Sequence, residues 1–179
     1  MIERVDYVKK IISVILVILM CFAVSSCSSK DDKGETQTKE YKGSAPILGV
    51  QIAAGDNAGY KALTKDGTYM WTATDDEGNT EKYEHSGIFC LDDKNLCTLT
   101  RNETNGKISL NFVGSVSSHE VYCAPKDEIE DDRLKIYDEK YLITTSSKTI
   151  TFPQDGAYYY VIKVNYTQGE VAYGFLLNE

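Results

Sequence analysis

The chain has 179 residues and a mass of 20.0 kDa, and its 19 Lys and Arg against 27 Asp and Glu give a formal net charge of -8. Such an acidic chain repels the phosphates of nucleic acids, which bind clustered Lys and Arg, so nucleic acid is excluded as a partner. With 42% apolar residues, 11% aromatic residues and only 3 Pro, the composition is that of a folded domain with some additional sequence.

The N-terminal segment has the three parts of a secretory signal. Lys9 and Lys10 precede an uninterrupted run of apolar or small residues, 11–24, and Ser25-Ser26-Cys27 follows it. This run is shorter than the about 20 apolar residues that a transmembrane helix needs. A cleaved signal over residues 1–26 is therefore predicted.

Val24-Ser25-Ser26-Cys27 resembles the lipobox of bacterial lipoproteins. The resemblance implies that Cys27 is diacylated and becomes the first residue of the mature protein, and two acyl chains hold a protein firmly at a membrane. Residues 27–44 are then the lipidated N-terminus and a flexible tether, rich in Lys, Asp, Ser, Thr and Gly. The alternative is an ordinary signal peptide cut near Ala23 or Ser26, with Cys27 incidental.

Residues 45–179 are predicted to form one all-β domain, because apolar and polar residues alternate repeatedly and no useful stretch has a helical repeat. Residues 107–112 give the clearest alternation, with three apolar residues on one face. Turn residues between the strands, at intervals typical of a sandwich, favour an antiparallel β-sandwich. Further strands are expected at 47–52, 68–74, 80–85, 96–100, 120–123, 134–136, 141–144 and 149–152.

A C-terminal hairpin is predicted between strands 157–166 and 171–177. With Gln168-Gly169 as the tight turn, every facing pair on one side is apolar or aromatic, and a slip of one residue would break this match. The same alternation points Tyr158 and Tyr160 into the core and leaves Tyr159 outside. The facing pairs are Tyr166 with Val171, Val164 with Tyr173, Ile162 with Phe175, and Tyr160 with Leu177.

This hairpin carries a resemblance to a known group of domains. Phe152-Pro153, Asp155-Gly156, Tyr158, Tyr160 and Tyr173-Gly174-Phe175 resemble the closing strands of small β-sandwich domains in secreted lipoproteins of Firmicutes. The first hairpin of such domains is similar to residues 67–71 with the turn at 76–79. The resemblance implies an immunoglobulin-like sandwich, and it implies no catalytic residue.

Three cysteines fall within the domain: Cys90, Cys97 and Cys123. A tight hairpin around Asp93-Lys94 would place Cys90 directly opposite Cys97. A disulfide is predicted there, because a non-hydrogen-bonded strand pair allows one and secretion permits oxidation. The alternative is three buried thiols that act as small apolar side chains.

The remaining reactive residues form no recognised catalytic pattern. His85, His119 and the cysteines lack the paired spacing of zinc ligands, so no metal and no cofactor is predicted. His119 and Cys123 lie four residues apart on one strand, too far for a catalytic hydrogen bond. Residues 75–79 are predicted to be a solvated hairpin turn and not a calcium loop.

The sequence therefore predicts a lipoprotein anchored on the extracytoplasmic face of the cell membrane, whose domain is a non-enzymatic binding or structural module. Its predicted partners are the membrane, through the N-terminal lipid, and an envelope protein or peptide bound by loops or by an exposed strand edge. The alternative is a small extracytoplasmic hydrolase or a protease-inhibitor-like β-sandwich with a loop-borne site. Fold class does not decide between these functions.

Overall fold

The computed structural model describes residues 45–52, 59–63 and 67–179. The predicted signal, Cys27 and the predicted tether lie outside the described residues. Three 3-10 turns lie at Phe89–Leu91, Arg133–Tyr137 and Glu139–Tyr141, and two short α-helical turns at Arg101–Thr104 and Lys126–Ile129. The strands are β1 Gly49–Ile52, β2 Gly59–Ala62, β3 Thr68–Thr74, β4 Thr80–His85, β5 Cys97–Thr100, β6 Lys107–Asn111, β7 Val116–Pro125, β8 Leu142–Thr144, β9 Thr149–Thr151, β10 Tyr158–Tyr166 and β11 Gly169–Asn178.

These strands form two sheets. The small sheet has the order β2-β1-β6-β9, and the large sheet has the order β4-β3-β11-β10-β7-β8. β3 pairs antiparallel with the first residues of β11, and β5 pairs in parallel with Phe175 to Asn178 on the same edge. The prediction of an all-β domain with an antiparallel sandwich is thus confirmed, with one parallel pair added to it.

The main core lies between the two sheets. Val50, Ile108 and Ile150 of the small sheet face buried aromatic side chains of the large sheet. Among these, Tyr160 and Phe175 stack with ring centroids 4.6 Å apart and planes 1° from parallel. Burying a large apolar side chain contributes about 1.5 to 3 kcal/mol, so this layer is the principal source of stability.

A second core lies on the outer face of the large sheet, under the short helical turns. It buries residues that strand alternation assigns to the solvent side, and Tyr159 of β10 is only 2% exposed there. The expectation that Tyr159 points outside is therefore wrong, because the 3-10 turns cover the face it lies on. The buried members of this second core are Cys90, Leu91, Tyr122, Ala124, Ile129, Ile136, Tyr141, Tyr159, Val161 and Ala172.

The C-terminal hairpin forms, but its register is shifted by two residues from the predicted one. Tyr166 pairs with Gly169, so the turn is Thr167-Gln168 and Gly169 belongs to β11. An even shift leaves every side chain on its predicted face. Gly169 has φ +155° and lies so close to β3 that an added Cβ would be 2.0 Å from the Met70 carbonyl oxygen. The glycine is therefore required for sheet pairing and not for the turn. The apolar pairs become Val164 with Val171, Ile162 with Tyr173, and Tyr160 with Phe175.

Two further elements differ from expectation. Residues 134–136 do not form a strand but lie in the 3-10 turn Arg133–Tyr137, where Ile136 is buried and Leu134 is 56% exposed. β2 was not predicted, because it is short and mostly exposed. By contrast, β3 and β4 have the predicted bounds and join at the predicted turn, where the Asp75 N–H donates to the Asn79 carbonyl at 2.9 Å.

Candidate functional site

The candidate site is a cleft on the outer face of the large sheet, where the second core ends and the sheet becomes open to solvent. It has a volume of about 340 Å³. This is within the size range of small-ligand sites. Its floor is formed by β3 and β11, and its walls by the end of β4 and by the 3-10 turn Arg133–Tyr137. The lining residues are Thr68, Tyr69, Met70, Glu84, His85, Ser86, Gly87, Tyr137, Lys163, Glu170 and Ala172.

Aromatic rings pack together at the end of β4, on the opposite face of the sheet from Glu84 and Glu170. The His85 ring stacks on Phe89 with centroids 4.7 Å apart and planes 18° apart, and Tyr69 meets the His85 ring edge-on at 4.6 Å. Such contacts fix the imidazole between two rings. These contacts order the exposed end of β4, which forms part of the rim of the cleft.

The Cys90 thiol and the Tyr137 phenol are the two ionisable groups that burial affects most at the cleft. The Cys90 N–H donates to the Thr68 hydroxyl at 2.9 Å. Burial raises the pKa of the Cys90 thiol, and burial together with the neighbouring thiol raises the pKa of the Tyr137 phenol. Both groups are therefore neutral at physiological pH. A protonated, buried thiol is a poor nucleophile, so Cys90 acts as part of the floor.

Charged side chains line the open side of the cleft in pairs. Lys163 and Glu170 form an ion pair at 3.1 Å, with 31% and 40% of their side chains exposed. Lys82 and Glu84 form a second pair at 3.5 Å. Exposed ion pairs contribute about 0 to 1 kcal/mol each, so a ligand can displace either lysine from its carboxylate at little cost. The cleft thus offers carboxylate acceptors beside the Tyr137 side chain.

The predicted disulfide between Cys90 and Cys97 is not formed. Cys90, Cys97 and Cys123 are free thiols. Cys90 lies in a 3-10 turn over the outer face of β11, whereas β5 runs parallel to β11 and turns Cys97 toward the main core. The hairpin that would pair the two cysteines does not exist, and they lie on opposite faces of the large sheet.

His119 and Cys123 lie on β7, away from the cleft. The His119 ring is buried, bonds through Nε2 to the Ser147 carbonyl at 3.0 Å and packs against Phe112. Cys123 lies directly opposite Tyr160 in the sheet, and burial raises its pKa to about 11. Neither residue lines the cleft.

Three further predictions concern a metal site, a membrane-spanning helix and the lipidation of Cys27. Within 45–52, 59–63 and 67–179, no group of three His, Cys, Asp or Glu side chains is placed to hold a metal ion. No helix in the same residues is long and apolar enough to span a bilayer. The predicted lipidation at Cys27 stays a prediction, because that residue is outside the described part.

Comparison with known proteins leaves the cleft to be interpreted from its own chemistry. No protein family model, curated protein or solved structure matches this chain. In the sequence, His85 stood out only as a rejected zinc ligand and Cys90 only as part of a disulfide, and Tyr137, Lys163 and Glu170 were not singled out. A signal for two of these was present, since Lys163 and Glu170 are charged residues within the predicted C-terminal hairpin. Tyr137 gave none, because it lies in an irregular segment.

Proposed function

We propose that this protein is a lipid-anchored, extracytoplasmic binding module without catalytic activity, and that the cleft holds a polar component of the cell envelope. The observation that carries the proposal is that Glu84 and Glu170 line one cleft together with Lys163 and Tyr137. Carboxylates accept hydrogen bonds from hydroxyl and ammonium groups, and lysine and tyrosine side chains donate hydrogen bonds to ligand oxygens.

The thiols support binding over catalysis. Nucleophilic catalysis by cysteine needs an accessible thiolate with a lowered pKa. Burial raises the pKa of Cys90, Cys97 and Cys123 instead. Glu84 and Glu170 are carboxylates that a hydrolase in the cleft could use as acid and base, which makes the alternative function testable at the same residues.

The ligand test uses the full chain, purified in detergent, and soluble cell-wall fragments that carry sugar hydroxyls and peptide amines. Calorimetry is expected to show saturable binding that Glu170→Gln weakens at least about tenfold, since a hydrogen bond to a charged group contributes about 1.5 to 3 kcal/mol. Glu139→Gln is the matched control, because Glu139 is exposed and does not line the cleft. Absence of binding to these fragments would contradict the proposed ligand class.

The same samples separate the two functions. Fragments are analysed by mass spectrometry after long incubation, and a binding module leaves them intact. Turnover that disappears in Glu170→Gln or Glu84→Gln would establish the hydrolase alternative. Anchoring is tested separately by Cys27→Ala, which is expected to leave unprocessed precursor or to release the protein into the medium.

A further inference from the structure

The outer edge of β4 is a free edge of the large sheet within the described residues. β4 is the terminal strand of the sheet order, and all six of its residues are exposed. Its other edge pairs antiparallel with β3 from Thr80 to His85. Within the described part of the chain, no strand pairs with the outer edge. Such an edge is a template for another strand.

The backbone of this edge has a defined pattern. The bond from the Asp75 N–H to the Asn79 carbonyl marks a hydrogen-bonded pair at the hairpin turn. In an antiparallel ladder such pairs alternate with pairs that direct their backbone groups away. Counting along β4, the residues whose N–H and C=O groups face the free edge are Thr80, Lys82 and Glu84.

We propose that two copies of this chain pair through their β4 strands, antiparallel, about a two-fold axis at Tyr83. In this register Lys82 of each copy lies opposite Glu84 of the other, so two ion pairs form by symmetry. On the other face of the sheet, Glu81 of each copy lies opposite the other copy's His85, so no like charges face each other there. Opposite charges at facing positions stabilise a sheet. The large sheets of both copies then form one continuous sheet.

The charge pattern selects this register over its neighbours. Facing residues of an antiparallel pair share one face of the sheet, so the register can change only in steps of two. One step in either direction places Lys82 opposite Lys82, or Glu84 opposite Glu84. Like charges at facing positions are destabilising. The self-complementary sequence of β4 is therefore specific for one alignment.

The aromatic residue on the proposed axis fits the same geometry. Tyr83 is 37% exposed, and its hydroxyl donates to Glu81 at 3.0 Å. By the alternation above, Tyr83 would face its copy in a non-hydrogen-bonded pair, where side chains approach most closely. Two tyrosines in that position cover each other, and facing aromatic pairs stabilise antiparallel strands.

Charge-reversal variants of the full chain in detergent test the pairing by sedimentation equilibrium. Lys82→Glu and Glu84→Lys each create two like-charge pairs between copies, so each variant alone is expected to raise the dimer dissociation constant at least about tenfold. A mixture of the two variants restores both ion pairs and is expected to form heterodimers. A monomeric wild-type chain, or a mixture that stays monomeric, would overturn the proposal and leave the edge to a strand of another protein.

Cysteine cross-linking tests the register independently of charge. Under mild oxidation Tyr83→Cys is expected to give a disulfide-linked dimer, because the non-hydrogen-bonded pair brings the two positions close enough for a disulfide. Lys82→Cys and Glu84→Cys are expected to cross-link only when mixed with each other, with the wild-type chain as background. Self-cross-linking of either one would indicate a shifted register and overturn the proposed alignment. These readouts do not depend on ligand binding in the cleft.

Discussion

Gly174 of β11 lies directly under the carbonyl group of Cys90, so closely that an added Cβ would be 2.2 Å from that oxygen. The 3-10 turn Phe89–Leu91 packs directly against the β11 backbone at this position, because Gly174 has no side chain. Gly174→Ala is therefore expected to displace the turn and to lower the free energy of unfolding by about 1 to 3 kcal/mol. Urea unfolding measures the loss.

Gly59→Ala serves as the control for this substitution, since no atom lies within 4 Å of a Cβ built there. It is expected to change stability by less than about 0.5 kcal/mol. Displacement of the turn also predicts that the Cys90 thiol, which is fully buried, becomes reactive toward a thiol reagent in Gly174→Ala alone. Equal stability of the two alanine variants would contradict the proposed contact.

The free thiols predict a simple labelling result. Alkylation in denaturant without reductant is expected to modify Cys90, Cys97 and Cys123 alike, as counted by peptide mass spectrometry. Under native conditions Cys97 and Cys123 should react before Cys90, because they are only partly buried. A disulfide-linked peptide joining Cys90 and Cys97 would contradict the free thiols of the structure.

Stability is expected to fall at alkaline pH. Burial raises the pKa of Cys123 from about 9 to about 11, so the folded state binds this proton more tightly than the unfolded state. The thiol's contribution is complete below about pH 9 and is lost between about pH 9 and 11, with a slope of at most about 1.4 kcal/mol per pH unit. Urea titrations at pH 8, 9 and 10 measure this loss.

Cys123→Val separates the thiol from other alkaline groups. Valine keeps an apolar side chain at this position but does not ionise, so the variant is expected to lose less stability than the wild type between pH 9 and 10. Burial also raises the pKa of Tyr160, which faces Cys123, and this loss begins at higher pH and remains in the variant. Identical pH profiles for both proteins would contradict a buried, protonated Cys123.

Arg133 is expected to be specifically required for the stability of the short helical turns that cover the outer face of the large sheet. Its guanidinium donates to the Leu91 carbonyl and to Asp93 Oδ1 at 2.8 Å, and lies 5.3 Å from the centre of the Tyr159 ring. Lysine cannot reproduce these planar, simultaneous contacts. Arg133→Lys should therefore destabilise the protein by about 1 to 2 kcal/mol in urea unfolding, whereas Lys135→Arg, at an exposed neighbour, should have little effect.

Strand positions could be predicted from sequence where alternation and turn chemistry agree, as they do for β3, β4 and the turn after Asp75. Side-chain faces of the C-terminal hairpin were also predictable, because alternation fixes faces even when the register is off by two. The register itself depended on Gly169, whose role is a contact with Met70 that is about one hundred residues away in the chain. No local pattern carries that information.

The cleft could be predicted only in part, because one of its walls is irregular. Lys163 lies on a predicted strand and Glu170 in the predicted connection of the same hairpin, but Tyr137 reaches the sheet through a 3-10 turn that buries only one face of a short segment. The short 3-10 turns over the outer face of the large sheet also explain why Tyr159 is buried and why Cys90 and Cys97 are separated. Periodicity shows which side chains share a face, and it does not show what covers that face.

β10 is packed on both of its faces, with Tyr160 and Ile162 in the main core and Tyr159 and Val161 in the second. Its backbone is also paired on both edges, with β7 and β11. Amide hydrogens in this strand are therefore expected to exchange only when the whole domain opens. The exchange rate of β10 consequently reports the global unfolding free energy, while β4, exposed at the sheet edge, exchanges through local fraying.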